Sequence, residues 1–209
     1  MFFKKNKNAK NNCDNTNTSE VFIVVGLGNP GDKYSNTMHN VGFDTIDLLC
    51  NKFNVSLKKL KFKSLYGEGK IANKKVVFVK PQTFMNLSGQ SIQAVKQWYK
   101  VPEERIIIIF DDIDLPMGTV RVKRSGSAGT HNGMKSAIYQ LGKDNFPRVK
   151  IGIGPKPANW DLADYVLSHF SNNDREIINK SEESASLAVE EIITNGVEAA
   201  MIKYNGSVL

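Results

Sequence analysis

The chain has 209 residues, two cysteines, three histidines and a formal net charge of +7. A chain of this length buries about 70% of its unfolded surface and needs no disulfide or metal to close a core. So few Cys and His leave little material for a zinc site. No apolar run reaches the ~20 residues of a membrane helix, and Cys13 in a polar tail with Cys50 in a helical pattern fits a reducing compartment better than a disulfide.

Residues 1–20 are rich in Asn, Lys and Thr and have almost no apolar content after Phe3, so a disordered tail is expected before one domain over 21–209. The tail lacks the apolar stretch of a secretory signal. It is acid-poor up to Cys13, as organellar transit peptides are, but it lacks arginine and an amphipathic repeat, which favours a simple extension over an address. Residues 21–25 (VFIVV) read as a buried strand. A helix is predicted over 38–53, with Val41, Thr45, Leu48, Leu49 and Lys52 along one side and Ile46 and Phe53 widening the apolar face. The run Lys58-Lys59-Leu60-Lys61-Phe62-Lys63 reads as a solvated connector. Segments 65–72 and 75–80 read as paired strands about an Asn73-Lys74 turn.

A helix over 88–99 points Ile92, Val95, Trp98 and Tyr99 inward, so Trp98, Tyr99 and Phe53 are assigned to the core and not to base stacking. Residues 105–110 hold four consecutive isoleucines, the mark of a strand buried on both faces. Val120 and Val122 alternate with Arg121 and Lys123, giving a strand with one wet, basic face. A helix over 134–141, a strand over 149–153 and helices over 174–195 and 197–204 complete the set. This alternation predicts an α/β fold: a single domain with a twisted mixed β-sheet and helices on both faces.

The glycines of Gly26-Leu27-Gly28-Asn29-Pro30-Gly31 fit the dinucleotide pattern G-x-G-x-x-G after a strand. Pro30-Gly31-Asp32 is a turn, however, and polar residues intervene before a helical period begins. Asp44 and Asp47, near the distance at which a ribose-binding acid belongs, fall inside a helix. No NAD or FAD site is expected. The polar residues at strand ends are the stronger signal: Asn29 after the first strand, Asn86 after the strand ending at Lys80-Pro81, Asp111 after the isoleucines. Asn132 lies in the glycine-rich turn before a helix, and His39 lies at a helix start. Such loops are where α/β proteins build sites. Taken singly each has a plainer reading: a structural histidine at 39, a solvated acidic turn at Asp111, Asp112 and Asp114, and a helix N-cap at Asn132. Without convergent histidines a divalent-ion loop is not supported.

Taken together, the motifs carry more. GLGNPG with Tyr34 and His39-Asn40, then Thr83-Phe84-Met85-Asn86-Leu87-Ser88-Gly89, then Asp111-Asp112-Ile113-Asp114-Leu115-Pro116, the GSAGTHNG turn and Lys150-Ile151-Gly152-Ile153-Gly154 stand in this order. Over residues 21–205 the sequence resembles the bacterial-type peptidyl-tRNA hydrolase family. The resemblance implies one α/β domain, without metal or cofactor, that hydrolyses the ester between a peptide and the terminal ribose of tRNA. It implies His39 as the general base on water, Asp111 as the group that orients it, and Asn29, Asn86 and Asn132 as amides that hold the peptide and receive oxyanion charge. It also implies Tyr34 and Met85 in the cleft wall and Lys123 and Lys150 on a tRNA phosphate, with Arg121, Arg124 and Arg148 adding to a basic surround. The implied partner is peptidyl-tRNA, with no membrane, for a cytoplasmic monomer. A non-catalytic RNA-binding homologue of the same fold is the rival reading.

Besides Lys150, where arginine is more usual so that bidentate phosphate contact would be lost, two positions depart from the family pattern. Met38 stands where a basic residue is usual. Thr130 replaces a glycine, and its β-branched side chain would displace Asn132 if the turn needs positive φ there. His131 and His169 are assigned no role.

Overall fold

A computed structural model describes residues 20–209. In chain order the elements are β1 (Val21–Gly26), α1 (Val41–Lys52), β2 (Lys59–Lys61), β3 (Ser64–Ile71), β4 (Lys74–Pro81), α2 (Ser88–Tyr99) and β5 (Ile106–Asp112). There follow β6 (Thr119–Lys123), α3 (Asn132–Leu141), β7 (Arg148–Gly152), α4 (Leu162–Val166), α5 (Asn172–Asn195), α6 (Val197–Tyr204) and β8 (Gly206–Ser207). The strands form one mixed sheet in the order β2-β3-β4-β1-β5-β7-β6-β8. β4, β1, β5 and β7 are parallel, and antiparallel strands flank them on both sides, β3 through a hairpin and β6 across the α3 connection. The single α/β domain with a mixed sheet is as expected. The expected tail lies outside the described residues except for Glu20, which is docked: its carbonyl accepts from the Lys75 backbone N–H and its carboxylate meets Arg105 and Lys74.

Because the parallel strands are buried on both faces, their apolar runs supply two cores. Val24, Ile107 and Ile109 face α1 and α5, whereas Ile23, Val25, Ile106 and Ile108 face α2 and α3. The chain leaves β1 through α1 toward β4 and returns through α2, on the opposite face, to β5. The carboxyl end of β1 is therefore a topological switch point, where a crevice opens between diverging connections. Glycine sets how closely α1 seats there: a Cβ on Gly26 would lie 2.1 Å from the Gly42 carbonyl oxygen. The residues before α1 are held at the same crevice.

Several expectations need correction. The basic run is not a loose connector; Lys59–Lys61 pairs antiparallel with β3 as an edge strand. The β3–β4 turn is Ala72-Asn73, one residue earlier than expected, with both residues at positive φ, as a two-residue hairpin requires. Trp98 is 61% exposed rather than core, with the Lys61 ammonium over its ring. Positive φ in the glycine-rich turn falls on Gly126 and Gly129 and not on Thr130, so the β-branched residue imposes no left-handed strain. Met38 is buried, and its backbone N–H donates to the Ser168 carbonyl.

Candidate active site

The register of the parallel strands brings Asn29, Met85-Asn86 and Asp111 to one end of the sheet. There His39 and the start of α3 complete a cleft of about 640 Å³. Every residue expected to act in catalysis or to hold the peptide lines it: Asn29, Tyr34, His39, Met85, Asn86, Asp111 and Asn132. The opposite wall comes from α4 and its flanks, with Leu162, Val166 and Leu167. This five-residue helix is too short to announce itself by periodicity.

His39 Nδ1 lies 2.8 Å from Asp111 Oδ1. The same oxygen is 3.1 Å from Nε2 of His131. Burial alone would raise the Asp111 carboxyl, but its two imidazole neighbours outweigh that and hold it well below the usual carboxylate range. An ionised carboxylate only accepts, so both ring nitrogens facing it are donors. His131 Nδ1 accepts the Met134 backbone N–H at 3.2 Å, which fixes its proton on Nε2. Burial depresses its pKa and keeps that ring neutral, against the attraction of Asp111. For His39 the consequence is a proton on Nδ1; in the neutral tautomer the lone pair is on Nε2, which has no partner among the described residues and belongs to a ring that lines the cleft.

His131 is the residue the sequence reading missed. It is the N-cap of α3, in place of Asn132, and it bonds the same oxygen of the acid as His39, with the two ring centroids 4.8 Å apart. His39, Asp111 and His131 are also the one group among the described residues whose ligand atoms could surround an ion, within 4.8 Å of one another. Here each nitrogen that faces Asp111 carries a proton for the same oxygen. The arrangement is a hydrogen-bonded chain, complete without an ion.

The amides are held equally firmly. Asn40, also unassigned in the sequence, accepts from Asn29 N at 2.8 Å and donates to Asn29 O at 3.1 Å. Asn29 Oδ1 accepts the Met85 backbone N–H at 2.9 Å, so its Nδ2 is the atom left to donate. The side chains of Asn86 and Asn132 make no hydrogen bond among the described residues, and both border the cleft.

The basic residues divide. Cross-strand partners share a face, so Arg121 and Lys150, paired across β6 and β7, lie with Phe110 on the α3 side, as does Lys123 two residues on. Arg121 and Lys123 are exposed. Lys150 lines the cleft but is engaged by Asp112 at 2.5 Å, so Asp112 is more than a turn residue and a phosphate at Lys150 would compete with it. Arg124 is paired with Glu198. Arg148 is not part of a basic surround: it is fully buried, and its guanidinium donates to the carbonyls of Gly126, Ser127 and Asp144. Burial pushes its pKa down to about 10, still charged at neutral pH. The strand pattern placed it correctly on β7 but could not reveal that a cage of carbonyls closes over it. It fixes the loop that delivers His131 and Asn132.

A sequence profile of peptidyl-tRNA hydrolases matches residues 23–208. The chain belongs to the peptidyl-tRNA hydrolase family. It is 54% identical to a peptidyl-tRNA hydrolase of Alkaliphilus metalliredigens over 89% of this chain and 100% of that protein. It is 52% identical to one of Clostridium novyi over 89% of this chain and 98% of the other. Among solved structures, a peptidyl-tRNA hydrolase from Acinetobacter baumannii superposes with a TM-score of 0.85 at 33% identity, covering 90% of this chain and 96% of that one. The mixed-sheet architecture is therefore that of the peptidyl-tRNA hydrolase family, along nearly the whole described chain.

Proposed function

We propose that the protein hydrolyses the ester joining a peptide to the 3′-terminal ribose of tRNA. Family membership over residues 23–208 supports the substrate class. The observation that carries the chemistry is the His39 Nδ1–Asp111 bond of 2.8 Å, which assigns Nδ1 to the acid and leaves Nε2 as the ring nitrogen for the open cleft. In this reading Nε2 takes a proton from water as the hydroxyl oxygen attacks the ester carbonyl. The imidazolium is stabilised by Asp111 and then protonates the departing ribose oxygen, so the proton removed from water leaves with the tRNA. Amide hydrogens of Asn29, Asn86 and Asn132 meet the transient oxyanion and the peptide; one such donor contributes about 3 kcal/mol. An activated ester with a ribose leaving group needs no covalent nucleophile.

The amides are neutral, and a free α-ammonium in the cleft would lose hydration without gaining a partner. The site should therefore favour N-acylated substrates; free aminoacyl-tRNA hydrolysed as fast as its N-acetyl form would refute this. Lys123, with Lys150 once it leaves Asp112, supplies phosphate contacts, so binding should weaken steeply with salt. No described helix is long and apolar enough to cross a membrane. We place the protein in the cytoplasm, as a monomer. The decisive experiment is single-turnover cleavage of N-acetyl-aminoacyl-tRNA by wild type and His39→Ala with a chelator present. A fall of about 10⁴-fold, with tRNA affinity retained and no effect of the chelator, is expected. A non-catalytic RNA-binding protein would instead bind the tRNA and leave the ester intact in both.

A further inference from the structure

The carboxyl end of β5 carries two acids with different partners. Asp111 meets the histidines, whereas Asp112, the next residue, lies 2.5 Å from the Lys150 ammonium. Asp112 and Lys150 both line the cleft, and their side chains are only 9% and 20% exposed. The carboxylate is held in place from behind. Its second oxygen accepts the Asp114 backbone N–H at 2.8 Å, and its carbonyl accepts the Ile153 N–H at 3.1 Å. The loop after it packs closely on β7, since a Cβ on Gly152 would lie 2.2 Å from the Pro116 carbonyl oxygen. Arg121 and Lys123, on the same face of the sheet, are by contrast exposed and make no ion pair among the described residues.

A fixed carboxylate beside a cation acts twice on an incoming phosphate. It occupies one of the three ammonium donors, and it repels the phosphate as a like charge. Lysine is a point charge without the paired contacts of an arginine fork, so it passes readily from one anion to another. A phosphate that takes Lys150 therefore strands Asp112, which must draw a cation from solution. Cleavage of the ester leaves the phosphates of the RNA unchanged, so contacts that hold the substrate's RNA hold the product equally. We propose that Asp112 is an internal competitor for the RNA: it takes Lys150 back as the phosphate withdraws, lowering affinity for deacylated tRNA and speeding its release. This rests on the phosphate role proposed for Lys150 and specifies what limits it.

The test needs no turnover. Deacylated tRNA is titrated against wild type, Asp112→Asn, Lys150→Ala and the double variant over a range of salt, and its dissociation is followed by stopped flow. Asn keeps the shape of the acid and an oxygen for the Asp114 N–H. Asp112→Asn should bind about tenfold tighter, mainly through slower dissociation. Its log K should also fall more steeply with log salt, by about 0.7 to 0.9, because one phosphate contact is no longer offset by a stranded carboxylate. Asp112→Ala should show the same steeper slope, since charge and not shape decides it. In the Lys150→Ala background the gain in slope should vanish, because no ammonium is left to free. Weaker binding by Asp112→Asn would mean that the acid holds the lysine ready for the phosphate, and an unchanged affinity and slope would mean that the pair never opens; either overturns the proposal. If Lys150→Ala binds tRNA as wild type does, the phosphate role of Lys150 falls and the proposal with it. The hydrolase reading is scored separately, by cleavage of N-acetyl-aminoacyl-tRNA.

Discussion

Two buried acid–base clusters flank α1, and only one of them faces a cleft. At its start, Asp111 accepts from His39 and His131, and the chain of bonds ends in a free lone pair on His39. Along its side, Arg175 donates to Asp44 at 3.2 Å, to Glu182 at 2.5 Å and to Asn179 at 2.8 Å, joining α1 to α5. There burial pushes Glu182 up to about 8 despite Arg175, and Asp44 is raised for the same first reason. Both clusters perturb their acids strongly, so perturbation alone does not mark a site. Both leave one atom unbonded; what distinguishes the first is that its atom opens onto the cleft, whereas Glu182 Oε1 in the second is sealed in the interior.

That contrast can be broken in order of expected effect. Asp111→Asn, which removes the charge but keeps the shape, should lower the single-turnover rate about 10³- to 10⁴-fold with tRNA affinity intact; a fall below tenfold would mean that His39 needs no acid. Arg175→Ala should leave Asp44 and the buried Glu182 without their shared donor and cost about 3 kcal/mol in urea denaturation. His131→Asn is narrower, because Asn can still cap α3 but cannot reach Asp111 as an imidazole does. A rate loss of about tenfold is expected, with unfolding nearly unchanged. The last effect is on pH dependence. With a folded pKa of about 8 against an ordinary 4.5, Glu182 binds its proton more tightly when folded, so its contribution is fully present at low pH and is lost as pH rises through about 8. Wild type should therefore lose Tm relative to Glu182→Gln between about pH 5 and 8. Parallel Tm curves would show that the carboxyl is already ionised.

What the sequence made legible follows from which forces are local. The runs at Val21 and Ile106 are apolar on both faces, and that pattern has few outcomes besides a central strand. Asn29, His39 and Asp111 stood at element ends in a recognisable order, and the sheet brings them together. The failures are residues whose roles depend on what lies across space. His131 reads as one polar residue in a flexible turn until β5 places Asp111 beside it. Arg148 reads as one more member of a basic surround, yet loop carbonyls enclose it. Helical period pointed Trp98 inward, but this end of α2 runs past the sheet interior and meets Lys61 and Phe62 instead. Charge hid β2, because an edge strand with an exposed side tolerates lysines that a central strand would not.

Those lysines have a further effect. The sheet has two open margins: β8, only two residues long, and β2, whose Lys59 and Lys61 flank an exposed Leu60. A strand from another molecule that added to β2 would bring like charges together along its length, while β8 offers too little backbone to hold one. Replacing both lysines with valine would remove that deterrent, and turbidity at high protein concentration would rise with the enzyme's native fold still intact.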